Sequence, residues 1–229
     1  MKVIGIIPAR GGSKGIKDKN IKLLNGKPLI KYTIEPALKS SMLTDVVVSS
    51  DSQKILDIAK EFNDINILIR EDSLASDNAP MSGVVLDVMK QLKIEKNSND
   101  IIVLLQPTCP FRTSDLIDDA INFFVDNESD SLISVYNVGD THPARMYSLR
   151  DSFLNSLDVT NESTNRQDLT DIFHRNGYFY ITYAKNFYKK KSFYQSRSIP
   201  YFMKKDGYIN IDDGNDFLLS EFIIKNNTL

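Results

Sequence analysis

A single cysteine, Cys109, leaves this chain with no internal disulfide, so a reducing compartment is expected and the cytoplasm is the natural one. Histidine is nearly as scarce. His142 and His174 are the two present, and neither has metal-ligand spacing, so structural or second-sphere roles are expected for both. Net charge is close to zero, −2 with an isoelectric point near 5.7, which offers no basic face for nucleic acid. No apolar run approaches the ~20 residues of a membrane helix, so no membrane partner is expected. Met1-Lys2 leads straight into an apolar strand, and no signal peptide is expected. Low-complexity tracts, linkers and internal repeats are missing as well. What remains is 229 residues with 41% hydrophobic content, enough for the core of one large α/β domain.

The apolar residues are arranged in short alternating blocks. Val3 to Ile7, Asp45 to Asp51, Ile65 to Ile69, Asp100 to Leu105 and Ser131 to Val135 read as buried strands. Pro28 to Ser41, Gln53 to Phe62, Ser82 to Leu92 and Ser114 to Val125 carry helical spacing, the last capped by Thr113 or Ser114. This β-α repetition predicts a parallel, doubly wound sheet with helices on both faces. The pattern then breaks. Tyr136 to Thr170 has few helical positions; Met146 to Leu149 and Phe153 to Leu157 could pair as a hairpin around Arg150-Asp151-Ser152. Gly177 to Tyr183 is an aromatic-rich strand that returns to the main sheet. Asn215 to Asn226 reads as a final helix burying Phe217, Leu218, Phe222 and Ile223.

Ligands of such sheets sit beyond the strand C-termini. After Ile7 comes Pro8-Ala9-Arg10-Gly11-Gly12-Ser13-Lys14-Gly15, then Lys19 and Asn20. Glycines let backbone N–H groups approach an anion, and Arg10, Lys14 and Lys19 supply positive charge beside it. It reads as a phosphate-binding design, with a solvated basic turn as the other reading, and neither the Walker spacing nor G-x-G-x-x-G is present. After the second strand, Ser49-Ser50-Asp51 reads equally as a helix cap and as a ligand contact. Asp77 reads as a cap, and Ser82 as a first-turn helix serine or a contact. Gln106-Pro107-Thr108-Cys109-Pro110-Phe111-Arg112 is a loop stiffened by two prolines. Gln106 offers donor and acceptor to a polyol or amide. Cys109 reads as a small packed residue. Arg112 reads equally as a structural ion pair and as an anion contact.

PARGGSKGIKDKN resembles the opening loop of the acylneuraminate cytidylyltransferases, the CMP-sialic acid synthetases, and the similarity continues at intervals along almost the whole chain. The supporting segments are Arg70 to Asp77, similar to R-x-x-x-L-A-x-D; Leu104 to Arg112, similar to L-L-Q-P-T-[SC]-P-x-R; Arg166-Gln167-Asp168; and His174-Arg175-Asn176-Gly177. The resemblance implies a Rossmann-like nucleotide-diphospho-sugar transferase fold in one domain, with residues 136–170 inserted as an arm that dimerises over the partner's active site. It implies transfer of CMP from CTP to a nine-carbon 2-keto sugar acid, with Mg²⁺ as cofactor and a homodimer as the working unit. By that likeness Arg10, Gly11, Gly12, Ser13, Lys14, Lys19, Asn20, Arg70 and Ser82 seat the nucleotide, with Arg10 and Lys14 neutralising the triphosphate. Gln106, Arg145, Arg166 and Arg175 hold the sugar acid, where guanidinium groups match carboxylates. The family holds Mg²⁺ on I-D-I-D-x-x-x-D. This chain has Asn210 at the first acid, Asp212 at the second and Asp216 at the trailing one, with Asp213 between. Asp212, with Asn210, is therefore the expected metal position, and Asp213 and Asp216 are expected to cap the last helix. Two other enzymatic readings are a nucleotidyltransferase with a different base or sugar, and a glycosyltransferase that releases a nucleotide instead of pyrophosphate. A non-catalytic nucleotide-binding module is the third reading, and turnover would separate it from the rest.

Overall fold

The first strand is completely buried because it lies between two others of the same kind. A computed structural model describes residues 1–13, 15–76, 78–162, 164–204 and 208–226, without the Arg166 side chain. In chain order, β1 (Val3–Pro8) is followed by a small ribbon of β2 (Leu23–Leu24) and β3 (Lys27–Pro28), and then by α1 (Lys31–Lys39). Next come β4 (Asp45–Ser50), α2 (Gln53–Ala59), β5 (Ile65–Ile69), α3 (Met81–Gln91) and β6 (Ile101–Leu104). α4 (Ser114–Asp126) starts at Thr113, whose hydroxyl accepts the Leu116 N–H at 3.2 Å. It leads into β7 (Ser131–Asn137), a hairpin of β8 (Tyr147–Arg150) and β9 (Phe153–Ser156), and the long β10 (Phe173–Tyr183). α5 (Ala184–Lys190), β11 (Ser198–Phe202) and α6 (Gly214–Asn226) complete the chain.

The main sheet has the order β11-β7-β10-β6-β1-β4-β5. β1 pairs in parallel with β4 and β6, β4 with β5, and β7 with β11. β10 runs against both of its neighbours, β6 and β7, so the sheet is mainly parallel with one reversed strand. Helices cover both faces. Ile34, Ile55, Ile117, Ile121 and Phe124 close one core, and Val85, Val88, Met89, Ala184 and Phe187 close the other. Burying a Val, Leu, Ile or Phe side chain is worth ~1.5–3 kcal/mol, so these two layers fix the strand register. No helix among the described residues is long and apolar enough to cross a membrane.

Two features shape the site. β10 breaks its pairing with β7 between Arg175 and Tyr180. Gly177 takes φ +85° in that bulge. The buried Ser134 hydroxyl fills the gap, donating to Asn176 Oδ1 at 2.5 Å and accepting the Phe179 N–H at 2.7 Å. Bulges of this kind re-aim side chains beside functional sites. The hairpin is also built as expected: Asp151 and Ser152 have φ of 49° and 68°, the signature of a two-residue turn matched to strand twist.

The final helix differs from its sequence reading. Phe217 and Ser220 are buried, whereas Leu218 and Phe222 are 64% and 61% exposed. Apolar residues surround this helix on all sides, so periodicity selected no face. The docked stripe is Phe217, Ser220 and Ile224.

Candidate active site

The main chain past β1 is fixed from both sides. The Gly11 N–H donates to Asp51 Oδ1 at 3.0 Å, and buried Asn20 donates through Nδ2 to the Arg10 carbonyl at 2.9 Å. Asp51 thus anchors the glycine-rich loop, a role that neither reading of its motif anticipated. A cavity of about 250 Å³ opens beside the loop, with Arg10, Ser13, Lys19, Asn20, Arg70 and Gln106 on its wall. Arg70 is 4% exposed, and its guanidinium donates to the Ser49 carbonyl at 2.7 Å. The structure therefore builds this arginine in at the C-terminal end of β4. Gly11 and Gly12 shape the loop without lining the cavity. Lys14 lies outside the described residues, as does Asp77.

The acidic segment packs against the loop at Gly15 and Lys19. Ile211 N–H donates to the Thr108 carbonyl at 2.8 Å, and the Tyr178 hydroxyl donates to the Ile209 carbonyl at 3.2 Å. Lys19 Nζ donates to the Ile211 carbonyl at 2.7 Å and stands 4.0 Å from Asp212 Oδ1. Burial holds the Lys19 ammonium below the usual lysine range, with Asp212 opposing that shift. An ideal Cβ at Gly15 would stand 2.6 Å from the Asp212 carbonyl oxygen, so loop and segment touch where only glycine fits.

The carboxylates of this segment divide their work. Asp216 Oδ2 accepts the N–H groups of Asp212 and Asp213, and Asp213 Oδ1 accepts those of Asn215 and Asp216. Both acids cap α6. Asp212 is left with its side chain 75% exposed. Asn210 donates through Nδ2 to Asp212 Oδ2 at 3.2 Å, while its Oδ1 faces the Cys109 thiol at 3.8 Å. Among the described residues no three of His, Cys, Asp or Glu group as a metal cage. A donor set of one carboxylate and one amide fits a Mg²⁺ ion that arrives with a polyphosphate, because such ions keep several waters and take their other ligands from phosphate. Cys109 is buried, its thiol pushed up to about 11 by burial, and it serves as packing.

A second cavity, of about 290 Å³, adjoins the first and shares Met81 and Gln106 with it. Ser82 and Arg175 line this one, with Tyr180, Lys191, Phe193 and Tyr194. Ser82 thus shares its cavity with Arg175. The last four residues were invisible in the sequence. Tyr180 sat inside a segment read only as an aromatic-rich strand, and Lys191 to Tyr194 follow a short helix that carries no motif. An ideal Cβ at Gly177 would meet Gln106 Oε1 at 2.9 Å, so the bulge sets the Gln106 side chain between the cavities.

Arg145 is not among the residues that line these two cavities. Arg145 lies in a 3-10 turn, Pro143–Arg145, and pairs with Asp140 at 3.2 Å. Arg166 begins another 3-10 turn in the hairpin region, and its side chain lies outside the described residues. His142 is buried, accepting the Ala144 N–H at Nδ1, as the structural reading expected.

A sequence profile of the cytidylyltransferase family matches residues 4–225. The chain belongs to the cytidylyltransferase family. It is 34% identical over 221 residues to the N-acylneuraminate cytidylyltransferase of Streptococcus agalactiae serotype V, covering 95% of this chain and 52% of that one. The chain spans about half the length of several such relatives. It is 32% identical to the CMP-N,N'-diacetyllegionaminic acid synthase of Legionella pneumophila, covering 99% of this chain and 98% of the relative. Against the pseudaminic acid cytidylyltransferase of Campylobacter jejuni serotype O:2 the identity is 30%, over 99% and 98% of the two chains. Among solved structures, a CMP:2-keto-3-deoxy-manno-octonic acid synthetase complexed with CTP superposes with TM-score 0.74 at 13% identity, over 99% of this chain and 100% of that one. That likeness is one of fold, and the Rossmann-like architecture of a cytidylyltransferase is what the sheet order displays.

Proposed function

We propose that this cytidylyltransferase makes a CMP-nonulosonic acid from CTP and a free nine-carbon 2-keto sugar acid, releasing pyrophosphate. The observation that carries the reading is the pair of cavities joined at Met81 and Gln106, one walled by Arg10, Lys19 and Arg70, the other by Arg175 and aromatic rings. The anomeric hydroxyl oxygen of the sugar acid forms a bond to the α-phosphorus, the bond to the β-phosphate oxygen breaks, and the hydroxyl proton leaves to solvent. Transfers of this kind depend on positioning and charge neutralisation. Arg10, Lys14 and Lys19 neutralise the triphosphate, Asn20 and Asp51 hold the loop in place, and Gln106 and Arg175 orient the sugar acid. Asp212 would hold Mg²⁺ with Asn210 beside it; when bound, the ion supplies charge neutralisation to the phosphates. The location proposed is the cytoplasm, on the strength of the single thiol. The deciding experiment presents CTP with neuraminate, legionaminate, pseudaminate and the eight-carbon acid Kdo, and measures pyrophosphate. Release with a nine-carbon acid is expected. Release with another NTP, or of a nucleoside monophosphate or diphosphate without pyrophosphate, would sink the reading.

The working unit we propose is a homodimer. The hairpin and the turn after it put Leu149, Phe153, Leu154 and Val159 into solvent at 70–76% exposure, an apolar patch of the kind that marks an interface. In the family-like arrangement, residues 136–170 reach over a partner's site and bring Arg145 and Arg166 to it. Light scattering at micromolar concentration should give twice the chain mass. A fully active monomer would remove the arm from the mechanism.

A further inference from the structure

Arg112 closes the Gln106-Pro107-Thr108-Cys109-Pro110-Phe111 loop, and among the described residues it forms no ion pair. It is 3% exposed. Its Nη2 donates to the Tyr178 carbonyl at 2.9 Å, and both terminal nitrogens reach the Gln106 carbonyl at 3.3 and 3.4 Å. Nη1 also lies 3.3 Å from the Thr33 hydroxyl, and the guanidinium centre is 5.5 Å from the rings of both Tyr178 and Phe179. Among the described residues no carboxylate lies within ion-pair distance of it, and Nε has no partner. The Cys109 side chain meets the guanidinium through a hydrogen bond, and burial pushes its thiol up to about 11, so near neutral pH it supplies no full counter-charge.

A desolvated cation without a partner charge is costly to a fold and gains little by burying apolar surface alone. The groups that Arg112 holds suggest what its planar fork of donors does here. The Gln106 carbonyl belongs to one of the two residues shared by both cavities. The Tyr178 carbonyl belongs to the residue after Gly177, whose hydroxyl holds the Ile209 carbonyl in the acidic segment. One buried guanidinium thus ties the loop between the cavities to the bulge of β10. A lysine ammonium carries the same charge but no rigid fork.

We propose that Arg112 is a positioning residue for the transfer reaction, holding the Gln106 main chain against β10 so that the Gln106 side chain is presented where the two cavities meet. This rests on the cytidylyl-transfer reading, and the test separates the two. The test is a double-substitution cycle of Arg112→Lys and Gln106→Ala, measured as kcat and KM for the sugar acid and for CTP, with a melting curve for each protein. Arg112→Lys should fold and lower kcat/KM for the sugar acid by about 10- to 100-fold, the scale of a small misplacement of a positioning group. In the Gln106→Ala background the same change should cost less than about threefold, because the group it positions has already gone. Equal losses in both backgrounds, or wild-type kinetics for Arg112→Lys, would overturn the proposal. So would failure of both Arg112→Lys and Arg112→Gln to fold, which would make the residue a determinant of the fold alone. If the wild-type protein released no pyrophosphate from CTP with any acid, the reading beneath would fail first.

Discussion

Gly15→Ala is expected to lower kcat/KM for CTP about a hundredfold while leaving the protein folded. Gly15 needs no unusual backbone angle, so the substitution meets no intrinsic conformational penalty. The obstacle is spatial. The new methyl group would stand 2.6 Å from the Asp212 carbonyl oxygen, a distance that real Cβ atoms do not adopt. Loop or segment must therefore retreat, and Lys19, bonded to the Ile211 carbonyl at 2.7 Å, is drawn into the same displacement. The Asp212 carboxylate then loses its place beside Lys19, 4.0 Å away in the native fold. Steady-state kinetics with a melting curve decides the matter. Wild-type kcat/KM with an unchanged melting temperature would mean that this contact is slack and that the separation of the two walls is unimportant.

An effect at least as large is expected for Asp212→Asn, on the order of a thousandfold in rate, typical of losing a charge that acts on the transferring group. The reason lies in how the segment's acids are occupied. Asp213 and Asp216 are committed to the N–H groups at the start of α6, so neither can turn to a metal without uncapping the helix. Asp212 alone is free to do so, and Asn210 leans on it through an amide donor at 3.2 Å. Asn210→Asp would put a second negative charge beside Asp212. It should tighten Mg²⁺ binding, most visibly without nucleotide, and lower the Mg²⁺ concentration that activity requires. Titrating Mg²⁺ against initial rate for wild type, Asp212→Asn and Asn210→Asp, alongside direct metal binding to each free protein, provides both readouts. If Asp212→Asn keeps the wild-type rate and Mg²⁺ dependence, the segment is a capping turn and nothing more.

The parallel half of the sheet was legible because its signal is local. Runs such as Val46 to Val48 and Ile101 to Leu105 announce buried strands with no knowledge of neighbours. β11 and α5 were not legible. Pro200 argues against a strand unless that strand lies at an edge, and β11 does lie there. α5 is too short for its periodicity to show. The reversal of β10 was equally hidden, since direction within a sheet is decided by partners far along the chain. At the site, Arg10, Lys19, Asn20, Arg70, Gln106 and Arg175 could be named from motif and position at strand ends, and the structure gathers them around two joined cavities. Asp51 and Arg112 were left ambiguous because their roles consist of hydrogen bonds to main-chain groups 40 and 66 residues away in sequence. Tyr180, Phe193 and Tyr194 carry no motif, and only the packing of α5 on the sheet brings them to a rim.

The direction of β10 has a mechanical consequence. β7 points toward the ligand side of the sheet, and β10, running the other way, starts from that side. The chain therefore leaves for the hairpin and comes back from it at the same rim, re-entering through Phe173, His174 and Arg175 before the bulge at Gly177. Any load placed on the hairpin passes along the backbone to Arg175, on the wall of the second cavity, before it meets the buried centre of the sheet. Grip at the hairpin and order at Arg175 are thus connected in series, like a handle fixed to the frame of the opening it serves.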